Sequence, residues 1–214
     1  MPDFEIERSL KDKGFSAICG VDEAGRGPLC GSVVAAACIL PEDVELPGLN
    51  DSKKLTPKKR ETLFDLICER AIAFGIAEGT VEEINETNIL EADLLAMRRA
   101  IENLKTPEGV PYPADYALID GNISRDFQIP AEAVIKGDAR SMSIAAASIL
   151  AKVTRDRECI EMDKAYPEYG IAKHKGYGTK QHMEALRKHG PAPIHRTKFI
   201  RFLNEDDHER NGKA

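Results

Sequence analysis

Ala17-Ile18-Cys19-Gly20-Val21-Asp22-Glu23-Ala24-Gly25-Arg26-Gly27-Pro28-Leu29 sets three kinds of local structure side by side. The apolar run from Ala17 to Asp22 predicts a short strand that ends in two acids. Glu23-Ala24-Gly25-Arg26-Gly27-Pro28 is rich in turn formers and predicts a tight connection. Ser32 to Leu40 is small and apolar throughout, which predicts a second strand buried on both faces.

Working outward, Thr56-Pro57 pairs an N-cap with proline at the first helical position and predicts a helix to about Ala73. Phe74 to Gly79 suits a third strand. Thr80-x-x-Glu83 is a capping box that opens a short helix. Leu94, Leu95, Met97, Ile101 and Leu104 recur at helical spacing between Glu91 and Leu104. Asp115 to Asp120 and Ala131 to Lys136 predict two more strands, the first ending in an acid and the second followed by Gly137-Asp138. Ile144 to about Met162 is a helix rich in small residues, suited to close packing on a sheet. Thr179 caps a last helix that Gly190-Pro191 ends. These elements predict one α/β domain over residues 1–214 with a mixed sheet. Residues 1–15 are expected as an N-terminal extension, and residues 204–214 as a frayed polar tail.

Bulk properties bound the function. The chain has 214 residues, 42% of them hydrophobic and 31% charged, as expected of a soluble globular protein. No apolar run reaches the ~18 residues of a membrane span. The N-terminus has no apolar signal region. A cytoplasmic protein without membrane contact is therefore expected. Five cysteines, with no C-x-x-C pair, point to reduced buried thiols rather than a disulfide or zinc site. The net charge of −6 disfavours a nucleic-acid partner on average. Between Lys173 and Arg201, however, eight Lys and Arg face Glu184 alone, a net +7 that leaves −13 for the rest. Four of the five histidines fall there too: His174, His182, His189 and His195. Such a segment is either a polyanion site or a solvated helix face.

Candidate chemistry lies in the acids. Asp22-Glu23, Asp120 and Asp138 each sit at or just beyond the end of a predicted strand. Neighbouring strands can bring such carboxylates together, and they then repel unless a cation compensates. Hard oxygen donors without cysteine suit Mg²⁺ or Mn²⁺. Two such ions, roughly 3.5–4 Å apart, can activate water and stabilise the leaving oxygen of a phosphodiester. Taken singly, each acid also reads as a turn former or helix cap. Three loops offer substrate contacts. Gly25-Arg26-Gly27 combines close backbone approach with a phosphate-binding arginine. Asp51-Ser52-Lys53-Lys54-Leu55 offers lysines and a hydroxyl. Lys175-Gly176-Tyr177-Gly178-Thr179 offers an aromatic that can stack on a base or sugar. Each also reads as an ordinary surface turn. Ser148, Lys152 and Arg155 form a polar stripe on the long helix. His195-Arg196 either touches phosphate or lies on the surface.

The chain resembles ribonuclease HII, the type 2 ribonucleases H. The resemblance rests on Val21–Leu29, Asp51–Leu55, Ile119-Asp-Gly-Asn122, Lys136-Gly-Asp138, Ile144–Asp156, His174–Thr179 and His195-Arg196, in family order, from about Ile18 to Phe202. It implies a ribonuclease H-like fold, α/β, with a mixed five-stranded sheet flanked by helices and a C-terminal helical segment. It implies that Asp22, Glu23, Asp120 and Asp138 bind two catalytic Mg²⁺ or Mn²⁺ ions, with Asp22 between them. Gly25, Arg26 and Gly27 would contact the ribose 2′-hydroxyl, which separates RNA from DNA. Tyr177 would pack on the next sugar and sense an RNA-to-DNA junction. Lys53, Ser148 and Lys152 would meet backbone phosphates. The implied activity is hydrolysis of RNA in RNA–DNA hybrids and incision 5′ of ribonucleotides embedded in duplex DNA, leaving 3′-hydroxyl and 5′-phosphate ends. A monomer is expected. Cys30-Gly31-Ser32 departs from the family's alanine, glycine and proline there. It alters the start of the second strand without removing a ligand. Only about 15 residues precede the first strand, too few for the extra N-terminal domain usual in ribonuclease HIII.

Two other classes compete. A silent hybrid-binding module would use the same loops, but its four acids would weaken phosphate binding unless metal were present. A small-phosphoester phosphatase would need neither the glycine loops nor the +7 segment.

Overall fold

A computed structural model describes residues 1–203, so the expected tail of residues 204–214 lies outside the described residues. Five strands form one sheet: β1 (Ile18–Ala24), β2 (Val33–Ile39), β3 (Ala73–Gly79), β4 (Tyr116–Asp120) and β5 (Ala131–Val134). Their order is β3-β2-β1-β4-β5. β2 pairs antiparallel with β1 and β3, whereas β1–β4 and β4–β5 are parallel. The sheet is mixed, as the sequence predicts.

Seven helices accompany it among the described residues: α1 (Glu5–Lys11), α2 (Pro57–Arg70), α3 (Val81–Glu86), α4 (Ile89–Glu102), α5 (Met142–Ala165), α6 (Ile171–His174) and α7 (Lys180–His189). Capping chemistry starts α2, α3 and α7 where the sequence places it, and Ser141, not marked in the sequence, starts α5 at Met142 rather than Ile144. The Thr56, Thr179 and Ser141 hydroxyls each accept a first-turn N–H, and Thr80 and Glu83 complete their reciprocal box. β2 is buried at every position because α4 packs on one face of the sheet and α5 on the other. This explains its run of Val and Ala in place of alternation.

Small residues set how closely these layers approach. A Cβ on Gly20 would lie 2.2 Å from the backbone nitrogen of Ile144, and one on Gly75 would lie 2.2 Å from the Ala100 carbonyl. Gly20 therefore fixes α5 over β1, and Gly75 fixes α4 over β3. On β1, Cys19 and Val21 join the core against α4. Alternation then turns Gly20 and Asp22 toward α5 and Glu23 toward α4.

The N-terminal residues, expected as an extension, carry a helix that the sequence reading did not mark. They form α1, with Phe4 and Leu10 buried. Glu7 is also buried, and its carboxylate accepts the Ser141 hydroxyl at 2.6 Å and the Ser143 N–H at 3.1 Å. An acid at the start of α5 opposes the positive end of the helix dipole. Charges of both signs on α1 masked this amphipathic helix in the sequence. No described helix is long and apolar enough to cross a membrane. All five cysteines are free.

Gly20→Ala should push α5 off β1 and cost about 1–3 kcal/mol as overpacking. Urea unfolding measures this, and an unchanged midpoint would show that the contact does not set the layer spacing.

Candidate active site

Asp22 and Glu23 lie on β1, and the pairing of Val21 with Ile119 brings Asp22 abreast of Asp120 at the end of β4. Asp138 comes from the turn after β5. Its predecessor Gly137 donates an N–H to Asp120 Oδ1 at 2.6 Å, tying that turn to β4. A left-handed Lys136 (φ 55°) begins the turn. Three of these acids hold protons more tightly than ordinary carboxyls. Burial raises Asp22 most, and the charges of Glu23 and Asp120 add to it. Burial also raises Glu23, with Arg26 opposing and Asp120 adding. Asp138 is raised by burial, then by Asp120 and Asp51, against Lys53. Asp120 thus acts on all three partners, so the four carboxylates form one electrostatic cluster.

The loop after β1 takes its shape from a buried cation. Arg196 is 0% exposed. Its Nε donates to the Gly31 carbonyl at 2.9 Å. Nη1 donates to the carbonyls of Arg26 at 2.9 Å and Pro28 at 2.8 Å, and Nη2 to those of Gly25 at 2.6 Å and Ser32 at 2.9 Å. A guanidinium has five N–H donors, so this one loop consumes them all. Trans peptides oppose N–H to C=O, so the N–H groups of Arg26 and Gly27 point away from Arg196. Arg155 of α5, also buried, adds a bond to the Cys30 carbonyl at 2.7 Å. Gly25 (φ 101°) is left-handed, and a Cβ there would strike Arg155 Nε at 2.9 Å.

Tyr177 stands opposite. A Cβ on Gly27 would lie 3.1 Å from its ring, so the missing side chain is what lets the two pack. Tyr177 remains 50% exposed, an aromatic face open to solvent. The Leu29 N–H donates to the Gly176 carbonyl at 2.8 Å and joins the two loops. Between them lies a cleft of about 310 Å³ lined by Asp22, Glu23, Gly25, Arg26, Gly27, Ser52, Lys53, Ser148, Lys152 and Tyr177. A larger groove, about 700 Å³, runs beside β3, α3 and α5, but none of the four acids lines it. The smaller cleft is the candidate site because Asp22 and Glu23 line it, and Asp120, whose charge acts on both, and Asp138 lie at and just beyond the neighbouring ends of β4 and β5.

Gly25, Arg26, Gly27, Lys53, Ser148, Lys152 and Tyr177 line the cleft with Asp22 and Glu23, whereas Asp120 and Asp138 do not line it. Lys53 is exposed in the cleft. Lys152 pairs with Asp156 at 2.7 Å. Ser148 is buried, and its hydroxyl is engaged with Ser52 at 2.9 Å and with Asp22. His195 and Arg196 correct both sequence readings. Neither is at the surface or free to meet phosphate; they are 2% and 0% exposed. A charged pair in a basic segment carries no sequence mark of burial.

Asp93 is a residue the sequence reading missed. It is 1% exposed on α4, its Oδ2 lies 3.5 Å from Arg26 Nε, and its Oδ1 has no hydrogen-bond partner. Arg26 Nη1 also lies 3.5 Å from Glu23 Oε1. Arg26 thus bridges the two acids. Burial and Glu23 push the Asp93 carboxyl up to about 8, with Arg26 opposing. Its signal was an acid on the inward helical stripe it shares with Ala96, Met97 and Ala100.

Comparison with known proteins places these features in context. The family model described as Ribonuclease HII matches residues 19–202. Ribonuclease HII of Acetivibrio thermocellus is 54% identical over 195 residues, covering 91% of this chain and 74% of that protein. Ribonuclease HII of Alkaliphilus metalliredigens is 50% identical over 199 residues, covering 93% and 97% respectively. The crystal structure of ribonuclease H2 from Pyrococcus horikoshii OT3 superposes with a TM-score of 0.71 at 29% identity, covering 93% of this chain and all of that one (100%).

Arg196→Lys keeps the charge but not the fork, and a compact ammonium offers only three donors. The variant should lose about 2–4 kcal/mol from broken charge-assisted bonds. Its amides between Gly25 and Ser32 should exchange hydrogen faster. Wild-type exchange in that loop would contradict the clamp.

Proposed function

The chain belongs to the ribonuclease HII family, and from that premise we propose that Asp22, Glu23, Asp120 and Asp138 are its catalytic metal ligands. Membership makes it a divalent-metal-dependent ribonuclease H, a hydrolase acting on RNA–DNA hybrids. The observation that carries the finer reading is a cluster of four carboxylates linked through Asp120, two of which, Asp22 and Glu23, line a cleft walled by Gly25–Gly27 and Tyr177.

The donor set fits Mg²⁺ or Mn²⁺. It is all oxygen and contains neither cysteine nor histidine. Arg26 opposes the upward shift of Glu23, and Lys53 opposes that of Asp138. When bound, two such ions supply an activated water and stabilise the charge on the departing 3′-oxygen.

The chain's own residues select and hold the substrate. The clamped backbone at Gly25, Arg26 and Gly27 addresses a ribose 2′-hydroxyl, the group DNA lacks. Tyr177, packed on Gly27 with its ring exposed, receives the neighbouring sugar and distinguishes a ribonucleotide followed by DNA. Lys53 and Lys152 take backbone phosphates, Lys152 already oriented by Asp156. Ser148 orders Asp22 and Ser52 from within the cleft wall. Together these groups support incision 5′ of a single ribonucleotide in duplex DNA, leaving 3′-hydroxyl and 5′-phosphate ends.

The test is cleavage of a DNA duplex carrying one ribonucleotide, with Mg²⁺ or Mn²⁺, beside an all-DNA control. Metal-dependent incision 5′ of the ribonucleotide alone is expected. A folded Asp138→Asn protein should lose at least about 100-fold, in line with removal of an electrostatic catalytic group. Near-normal turnover by that variant would remove Asp138 from the ligand set, and cutting of the control would refute 2′-hydroxyl selection.

A further inference from the structure

Three histidines of the C-terminal segment do not line the cleft, yet they sit directly behind Tyr177. His182 is 0% exposed and His195 2%. His182 Nδ1 lies 3.1 Å from the Tyr177 carbonyl, and its Nε2 lies 3.1 Å from His195 Nε2. His195 Nδ1 accepts the Ala192 N–H at 3.0 Å. His174 stacks on His182 with ring centroids 4.5 Å apart. Its Nδ1 accepts the Gly176 N–H at 3.3 Å, and its Nε2 lies 2.9 Å from the Tyr169 carbonyl.

The partners assign the hydrogens. A carbonyl only accepts, so His182 carries its hydrogen on Nδ1 and keeps a lone pair on Nε2. His195 must then donate from Nε2, which leaves Nδ1 free to accept from Ala192. The result is one directional chain through two neutral rings: Ala192 N–H to His195, His195 to His182, and His182 to the Tyr177 carbonyl. The Ala192 carbonyl also lies 3.2 Å from His195 Nδ1; a neutral Nδ1–H ring would donate to it only by setting its Nε2 lone pair against that of His182 across 3.1 Å, and otherwise the contact needs a doubly protonated ring. Burial opposes that form, holding His195 down at about 4.

Cys30 Sγ lies within 4.8 Å of ligand nitrogens of both rings, so a metal ion could in principle draw on the trio. A metal would need both Nε2 lone pairs and the thiolate. The hydrogen-bond chain leaves only one lone pair between the rings, and burial pushes the Cys30 thiol up to about 11. The hydrogen-bonded form accounts for every nitrogen of the two rings.

We infer that His195 and His182 act as a positioning relay that fixes Tyr177 against Gly27, so that tyrosine and loop address one nucleotide together. The chain sequence makes this economical. His195 governs the Tyr177 wall through His182, while adjacent Arg196 governs the Gly25–Ser32 wall through five carbonyls. The spacing of the two walls is therefore set from one dipeptide. The inference rests on the reading of Tyr177 as a substrate contact.

The experiment is a double-mutant cycle on the full chain: His182→Ala, Tyr177→Ala and the pair, in single-turnover incision at an embedded ribonucleotide. His182→Ala should slow incision by about 10- to 100-fold, as misplaced contacts do, and the pair should be no slower than Tyr177→Ala alone. His182→Asn, which keeps an N–H where Nδ1 stood, should recover most of the rate. Imidazole ¹⁵N spectra of the wild type should show the Nδ1–H form for His182 and the Nε2–H form for His195. They decide the matter should the alanine variant fail to fold. Multiplicative losses, unimpaired His182→Ala beside a slow Tyr177→Ala, matching tautomers, or stoichiometric zinc in the purified protein would each overturn the relay. Full activity of Tyr177→Ala would instead overturn the role of Tyr177 itself, and with it the purpose of the relay.

Discussion

Asp22, Glu23 and Asp138 each hold a proton more tightly than an ordinary carboxyl, and Asp120 pushes all three in that direction. Flexible acids would move apart. These cannot, because β1 and β4 end side by side in a parallel ladder and the Gly137 N–H anchors the Asp138 turn to Asp120. The sheet therefore maintains an unfavourable charge density of the kind that divalent cations relieve, which is the basis of the proposed metal site. Glycine and alanine between the layers serve the same end, since they bring α5 close enough for Ser148 to reach Asp22.

The positive charge of the C-terminal segment is used in two ways. Lys180 and Lys188 remain exposed, but Arg196 is enclosed and spends its donors on backbone carbonyls. With Arg155 it forms a rigid support beneath the loop proposed to meet substrate. In the proposed reading, rigidity matters there because the feature to be recognised is one hydroxyl group. A loose loop would tolerate its absence, whereas a backbone clamped at five points cannot readily rearrange around deoxyribose.

Much of this was legible in the sequence for physical reasons. The mixed sheet follows from Ser32–Leu40, whose unbroken small apolar run demands cover on both faces, and from strands closed by acids. Thr56-Pro57 and the Thr80 to Glu83 box marked helix starts because capping is local chemistry. The four acids and the two glycine loops were singled out by position and resemblance. What remained hidden was burial of charge. Asp93, Arg196, His182 and His195 look like solvated residues until the fold encloses them, since a sequence shows charge but not what surrounds it. Helix α1 was hidden likewise, with Glu7 at an inward position.

The central claim is that four crowded carboxylates form the cation site, and metal binding itself tests it most directly. Calorimetric titration of Mn²⁺ into the wild type and into Asp120→Asn, with thermal unfolding of each with and without the ion, separates the site from a general acidic surface. The account predicts that the wild type binds and is stabilised by the ion. Asp120→Asn should melt no lower than the wild type without metal, because one repelling charge is gone, yet lose most of the metal-induced rise. An equal rise in both proteins, or a variant that is simply less stable throughout, would contradict it.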